Sequence, residues 1–223
     1  MTRKEVRDRI EEIGIVPAVR LSSADDARFA TDAVSHGGIP IVEITMTVPG
    51  AIDVISELTR NSPELLVGAG TLFDLETARR CVDAGAAFLT SPGLDLPLVE
   101  FAHKANVAVL AGALTPTEVT AAWKAGAEFV KVFPCAQVGG DTYIKALKRP
   151  FPHVPLIAAG GVNQRTATNF ILAGACAIGV GGELIPKEAI QLRQADRIHE
   201  LTRRFVDFVK KARARVEAAN HTH

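Results

Sequence analysis

Only three cysteines, Cys81, Cys135 and Cys176, occur in this chain of 223 residues, and no two of them form a C-x-x-C pair. Histidines do not cluster beside them, so a zinc site has no support. An odd count without a framework excludes a disulfide scaffold and fits a reducing cytoplasm. Net charge is missing too: Lys+Arg 25 balances Asp+Glu 25. That removes the charge bias by which nucleic acid or an anionic membrane is usually engaged, while leaving room for one local anion site. No apolar run approaches the roughly 18–20 residues of a membrane-crossing helix. The opening MTRKEVRDRIEEIG is too charged for a secretory leader, the closing HTH (221–223) is too short to read as a metal site, and no proline- or glycine-rich linker divides the chain. What is left, at 48% hydrophobic and 22% charged residues, is an ordinary globular composition on a length that suits one barrel-sized domain.

Short apolar runs alternate with longer amphipathic stretches. The strand candidates are 15–20, 41–45, 65–70, 87–91, 107–112, 129–133, 154–160 and 177–181; helix candidates fill 24–36, 50–60, 74–84, 95–105, 116–125, 140–148 and 163–173, and a long amphipathic stretch closes the chain at 195–217. Runs apolar on both faces are the mark of parallel strands covered on both sides. Thr115-Pro116 with Glu118 reads as an N-cap, a first-turn proline and an early acid, and Asp74 and Asp95 stand at similar boundaries. Helix ends carry glycine, at Gly37-Gly38, Gly85, Gly126 and Gly174. Eight βα units in a row predict a single (β/α)₈ TIM barrel over 15–218, within one domain of 1–223, preceded by an extra helix at 1–14.

Two strands break the apolar rule. IVEIT places Glu43, and FVKVF places Lys131, inside runs that should be wholly buried. Burying an ion is costly unless it is paired, so a structural Lys–Glu pair is one reading. The other is chemical, because both residues fall late in their strands, and barrel active sites lie at the C-terminal ends of strands. A desolvated lysine more readily supplies a neutral amine, and a neutral amine attacks a ketone to form a Schiff base, an electron sink for C–C cleavage. A carboxylate within reach then moves the proton. Lys145 and Lys148, in the polar segment TYIKALKR, read as surface residues.

Glycines mark the ends of the last two strands, as AAGGVN around Gly160-Gly161 and GVGGEL around Gly181-Gly182. Glycine admits a phosphate close to backbone N–H groups, and many barrels bind phosphate at these two loops; tight turns alone are the simpler alternative. GAGT at 68–71 is a third such end, where Thr71 offers a hydroxyl and an N–H suited to a carboxylate.

Taken together, VPAVR (16–20), GGIPIVEITMTVP (37–49), VGAGT (67–71), TSPGLD (90–95), KVFP (131–134), AAGGV (158–162) and GVGGELI (179–185) resemble the family of 2-keto-3-deoxy-6-phosphogluconate (KDPG) and 4-hydroxy-2-oxoglutarate (KHG) aldolases from about residue 14 to about residue 210. The resemblance implies a class I aldolase that needs no cofactor or metal, acts on a small 2-keto acid, and assembles as a homotrimer. Position by position it implies Lys131 as the Schiff-base lysine and Glu43 as the general acid/base. Arg20 and Thr71 would lie at the pyruvyl carboxylate, Pro92 and Phe133 would belong to the substrate pocket, and Gly160, Gly161, Gly181 and Gly182 would form the phosphate turns. Two departures stand out. Thr47 occupies a position where many members carry arginine, which implies that Arg20 takes over the anchoring. Gly182 stands where serine is frequent, and Glu183 beside it adds negative charge. Another phosphate-binding barrel, such as an isomerase or a thiamine-phosphate-type synthase, would share the glycine turns without requiring Lys131. A non-catalytic sugar-acid-binding barrel would gain stability by replacing Lys131 and Glu43 with apolar residues.

Overall fold

In the computed structural model, which describes residues 1–220, the chain closes into a barrel of eight parallel strands in sequential order, each paired with its chain neighbours and β1 with β8. The strands are β1 (Ile15–Val19), β2 (Ile41–Thr45), β3 (Leu66–Gly70), β4 (Phe88–Thr90), β5 (Ala108–Ala113), β6 (Phe129–Val132), β7 (Leu156–Ala159) and β8 (Ala177–Val180). Around them lie α1 (Arg3–Ile13), α2 (Ala24–His36), α3 (Ala51–Asn61), α4 (Leu75–Asp83), α5 (Leu96–Lys104), α6 (Pro116–Lys124), α7 (Asp141–Lys148), α8 (Ala167–Leu172), α9 (Lys187–Gln191) and α10 (Ala195–Asn220). The eight expected strands are all present, most of them a residue or two shorter than the apolar runs that announce them.

Local chemistry explains the boundaries. The Thr2 and Thr115 hydroxyls cap α1 and α6 in reciprocal capping boxes with Glu5 and Glu118. Asp74 and Asp95 cap α4 and α5, as their positions suggest. The expected helix over 163–173 is cut to Ala167–Leu172, because the Asn163 side chain accepts from the backbone N–H groups of Arg165 and Thr166 and holds a turn there. Two short elements carry too weak a period to be read from sequence: the 3₁₀ turn Ala136–Val138 after β6, and α9 after β8. The HTH segment lies outside the described residues.

Burial follows the strand runs. β2, β3, β4, β5 and β7 are buried at every residue, between barrel interior and helix ring. No helix among the described residues is long and apolar enough to cross a membrane. Helix α1 closes the N-terminal end of the barrel, burying Val6 and Ile10.

Candidate active site

The even-numbered strands build a polar layer inside the barrel. β2 supplies Glu43, β4 supplies Thr90 and β6 supplies Lys131. Glu43 is 3% exposed, Thr90 0%, and the Lys131 side chain 13%. The Lys131 Nζ donates to Glu43 Oε2 at 3.2 Å and Oε1 at 3.5 Å, and to Thr90 Oγ1 at 3.4 Å. β2 and β6 face each other across the closed barrel, so this contact spans 88 residues of sequence. Glu43 owes its place partly to glycine: a Cβ on Gly70 would lie 2.0 Å from its Oε1. The last glycine of the GAGT run is therefore explained by the carboxylate packed on it.

This layer floors a cavity of about 420 Å³ at the C-terminal mouth, lined by Arg20, Glu43, Lys131, Phe133, the 159–162 turn and the 179–183 turn. Of the residues singled out from sequence, Arg20, Glu43, Lys131, Phe133, Gly160, Gly161, Gly181 and Gly182 all border it. Thr71 does not line it; its hydroxyl accepts from Arg20 Nη2 at 3.2 Å and so holds the guanidinium at the rim. Thr71 has a φ of 62°, the left-handed region that a β-branched residue seldom occupies and that gathers at functional sites. Pro92 also stands off the cavity wall. Its backbone lies against β5, where a Cβ on Gly112 would come within 2.4 Å of it. Thr47, where an arginine is frequent, bonds Thr45 through its hydroxyl at 2.7 Å and borders a neighbouring groove that Arg20 also lines.

The two glycine turns differ. Gly160 and Gly161 have φ of 83° and 79°, and a Cβ on Gly161 would sit 2.3 Å from that of Ala136, so the fold itself calls for glycine there. Gly161, Gly182 and Glu183 donate their backbone N–H groups to no protein acceptor among the described residues, which leaves donors pointed at no partner beside the cavity. Thr90 is the member of the polar layer that sequence reasoning missed. A mildly polar residue inside the 87–91 run, it gave no signal; only its position on an even strand, in step with Glu43 and Lys131, marks it.

The three cysteine thiols are shifted by burial. Desolvation pushes the Cys81 and Cys135 thiols up to about 11 and Cys176 up to about 12. No group of three or more His, Cys, Asp or Glu among the described residues is placed to hold a metal ion.

A part-buried lysine and a buried carboxylate thus lie together beneath an open mouth. The family described as KDPG and KHG aldolase matches residues 6–201. The chain belongs to that family. It is an enzyme of the aldolase kind, a carbon–carbon lyase. It is similar to a 2-dehydro-3-deoxy-phosphogluconate aldolase of Haemophilus influenzae, at 29% identity over 94% of this chain and 99% of that one. A 2-dehydro-3-deoxy-phosphogluconate aldolase of Pseudomonas aeruginosa is 30% identical, over 86% and 87%. Among solved structures, a KDPG aldolase of Legionella pneumophila, with pyruvate captured at low pH as a covalent carbinolamine intermediate, superposes with a TM-score of 0.82 at 28% identity, covering 89% of this chain and 96% of that one. A thiamine phosphate pyrophosphorylase of Pyrococcus furiosus shares the fold, with a TM-score of 0.70 at 17% identity over 92% and 98% of the two chains.

Proposed function

We propose that the chain is a class I aldolase that reversibly cleaves KDPG, or 4-hydroxy-2-oxoglutarate, to pyruvate and glyceraldehyde 3-phosphate, or glyoxylate. The observation that carries this reading is the part-buried Lys131 amine, 3.2 Å from the buried Glu43 carboxylate and opening onto a cavity of about 420 Å³. Lys131 Nζ adds to the C2 ketone, and loss of water gives a protonated imine. Glu43 takes the proton from the C4 hydroxyl; the C3–C4 pair moves into the imine, releasing the aldehyde and leaving an enamine. Protonation of the enamine at C3 and hydrolysis return pyruvate and the free amine. Arg20, held by Thr71, fits the pyruvyl carboxylate. The glycine turns supply N–H donors for a distal phosphate, and Phe133 walls the pocket. Pro92, packed on Gly112 behind the wall, supports the pocket instead of touching substrate.

Borohydride reduction in the presence of pyruvate, followed by intact mass and peptide mapping, tests the reading. A reduced pyruvyl adduct on the peptide containing Lys131 is expected. An adduct on Lys145 or Lys148 overturns the assignment, and no adduct in a folded sample points to a non-catalytic barrel. Because the lysine supplies the electron sink, chelator treatment is expected to leave turnover intact; a loss restored by a divalent ion would move the chemistry to a metal-bound enolate.

The exposed apolar side chains Phe73 (71%), on the loop that follows β3, and Leu96 (46%), at the start of α5, suit burial in a homotrimer. Sedimentation equilibrium at a trimer mass, shifted downwards in Phe73→Glu, checks that assembly. With its balanced charge and unpaired cysteines, the enzyme suits the cytoplasm.

A further inference from the structure

The turn after β8 has features that the fold does not require. Neither Gly181 nor Gly182 has φ in the left-handed region. A Cβ on Gly182 would meet no atom within 4 Å, and one on Gly181 would reach only the Ala18 carbonyl oxygen, at 3.8 Å, an ordinary contact. Backbone strain and packing, which account for Gly160 and Gly161, therefore do not account for this pair. Glycine here keeps the backbone bare, with the N–H groups of Gly182 and Glu183 unengaged by protein acceptors among the described residues.

A second, smaller cavity of about 220 Å³ continues from the first. Ala18, Arg20, Gly181 and Gly182 line both, and Lys187 stands on the wall of the second. Lys187 is exposed, and among the described residues its side chain makes no ion pair or hydrogen bond. Its neighbours are engaged: Glu188 accepts from Arg197 at 2.7 Å, and Arg193 bridges Asp25 and Asp26 at 3.0 Å. A free cation thus sits beyond the bare turn, while the carboxylate of Glu183 sits on it. Bare N–H groups, an unpaired ammonium and a shared opening to the Lys131 cavity together describe an anion subsite at the far end of a substrate.

We propose that Lys187 is the side-chain cation of this distal subsite. A terminal phosphate monoester or carboxylate on the aldehyde half of the substrate lies over Gly181-Gly182, accepting from the Gly182 N–H and from the Lys187 Nζ. Arg20 is left for the carboxylate at the other end. Glu183 opposes a dianion there, and Lys187 offsets it, so the balance of the two side chains sets the preference for a charged terminus. The proposal rests on the aldolase reading and goes beyond it by naming a specificity-determining residue.

The test compares kcat/KM for a phosphorylated 2-keto-3-deoxy acid and its unphosphorylated analogue in the wild type, Lys187→Ala, Lys187→Arg and Glu183→Gln. Circular dichroism checks that each variant is folded, and pyruvate trapping is run on all four. In Lys187→Ala the preference for the phosphorylated substrate is expected to fall about tenfold, mostly through KM, as for loss of one charged hydrogen bond. Lys187→Arg is expected to retain the preference and Glu183→Gln to raise it. Added salt should narrow the gap between wild type and Lys187→Ala, since both charges are exposed. Inorganic phosphate should compete less well with substrate in Lys187→Ala. An unchanged preference in Lys187→Ala, or a fall equal for both substrates, overturns the proposal; with the Lys131 adduct still trapped, the aldolase reading survives that result. Absence of the adduct in the wild type overturns both.

Discussion

Two charged residues, Glu128 just ahead of strand β6 and Lys131 within it, have opposite fates. Glu128, just before the strand, lies at the closed N-terminal end under α1. Its Oε1 accepts from Arg3 Nε at 2.6 Å and its Oε2 from the Val109 backbone N–H at 2.7 Å, while Arg3 also donates to the Gly126 carbonyl and contacts His103. Both carboxylate oxygens are taken at short range, although a surface depression borders the pair. Lys131, at the open end, holds Glu43 and Thr90 at 3.2–3.5 Å, and among the described residues no backbone donor serves Glu43. A pair whose oxygens are satisfied locks structure. A pair held loosely beside a cavity keeps hydrogen-bonding capacity for a substrate, and chemistry needs that spare capacity. Charge in a barrel strand is therefore an ambiguous signal until its partners are counted.

Substitutions at the two ends should separate accordingly. The largest effect is expected from Lys131→Met, which removes the nucleophile. Turnover should drop by at least about 10⁴-fold and the trapped pyruvate adduct should vanish, with thermal stability lowered because the buried Glu43 carboxylate loses its partner. A variant that retains turnover would make the Lys131–Glu43 pair another structural lock. Glu43→Gln comes next. Turnover is expected to fall about 10²–10⁴-fold while the adduct still forms, because the imine needs the amine and the proton transfer needs the carboxylate. Near-normal rates would move Glu43 to the structural side of the comparison.

At the closed end, Glu128→Ala is expected to cost about 3 kcal/mol in urea unfolding, since it leaves the Arg3 guanidinium without its carboxylate partner, and to leave kcat within about twofold. A large loss of kcat with little loss of stability would reverse the roles assigned to the two pairs. Thr90→Val keeps the shape and deletes the hydroxyl beside Lys131. It is expected to slow adduct formation by about tenfold or less and to shift the pH dependence of trapping, with Thr90→Ser restoring both. If Thr90→Val lowers stability alone, Thr90 is packing.

The Glu118 capping box gives the smallest effect. The backbone N–H groups of Thr115 and Leu114, with the Thr115 hydroxyl, hold its carboxyl below the usual range. A depressed folded-state value means that its stabilisation is present above the ordinary carboxylate pKa and fades as pH falls through the depressed one. Glu118→Gln should cost about 1 kcal/mol at neutral pH, and the gap to wild type should close in acid.

The order of elements could be read from periodicity because a strand covered on both faces must be apolar throughout, and Thr115, Asp95 and Asp74 announce their helices by satisfying first-turn N–H groups. Helix α9 and the shortened α8 escaped, since a five- or six-residue helix presents barely one turn of period and side-chain turns such as that of Asn163 compete with it. For the site, Glu43 and Lys131 showed themselves as violations of the apolar rule. Thr90, a mildly polar residue in an ordinary place, and Lys187, an exposed lysine beyond a turn, violated nothing.

Local sequence thus determined where strands and helices begin, and that two ions would be buried, because burial and capping act over a few residues. The barrel's closure alone decided that Glu43, Thr90 and Lys131 meet from three different strands. It also decided that Gly70 makes room for a carboxylate while Gly182 makes room for no protein atom at all. Those relations depend on strand register and on which residues face one another across the barrel interior, distances that exist only once β8 has paired with β1.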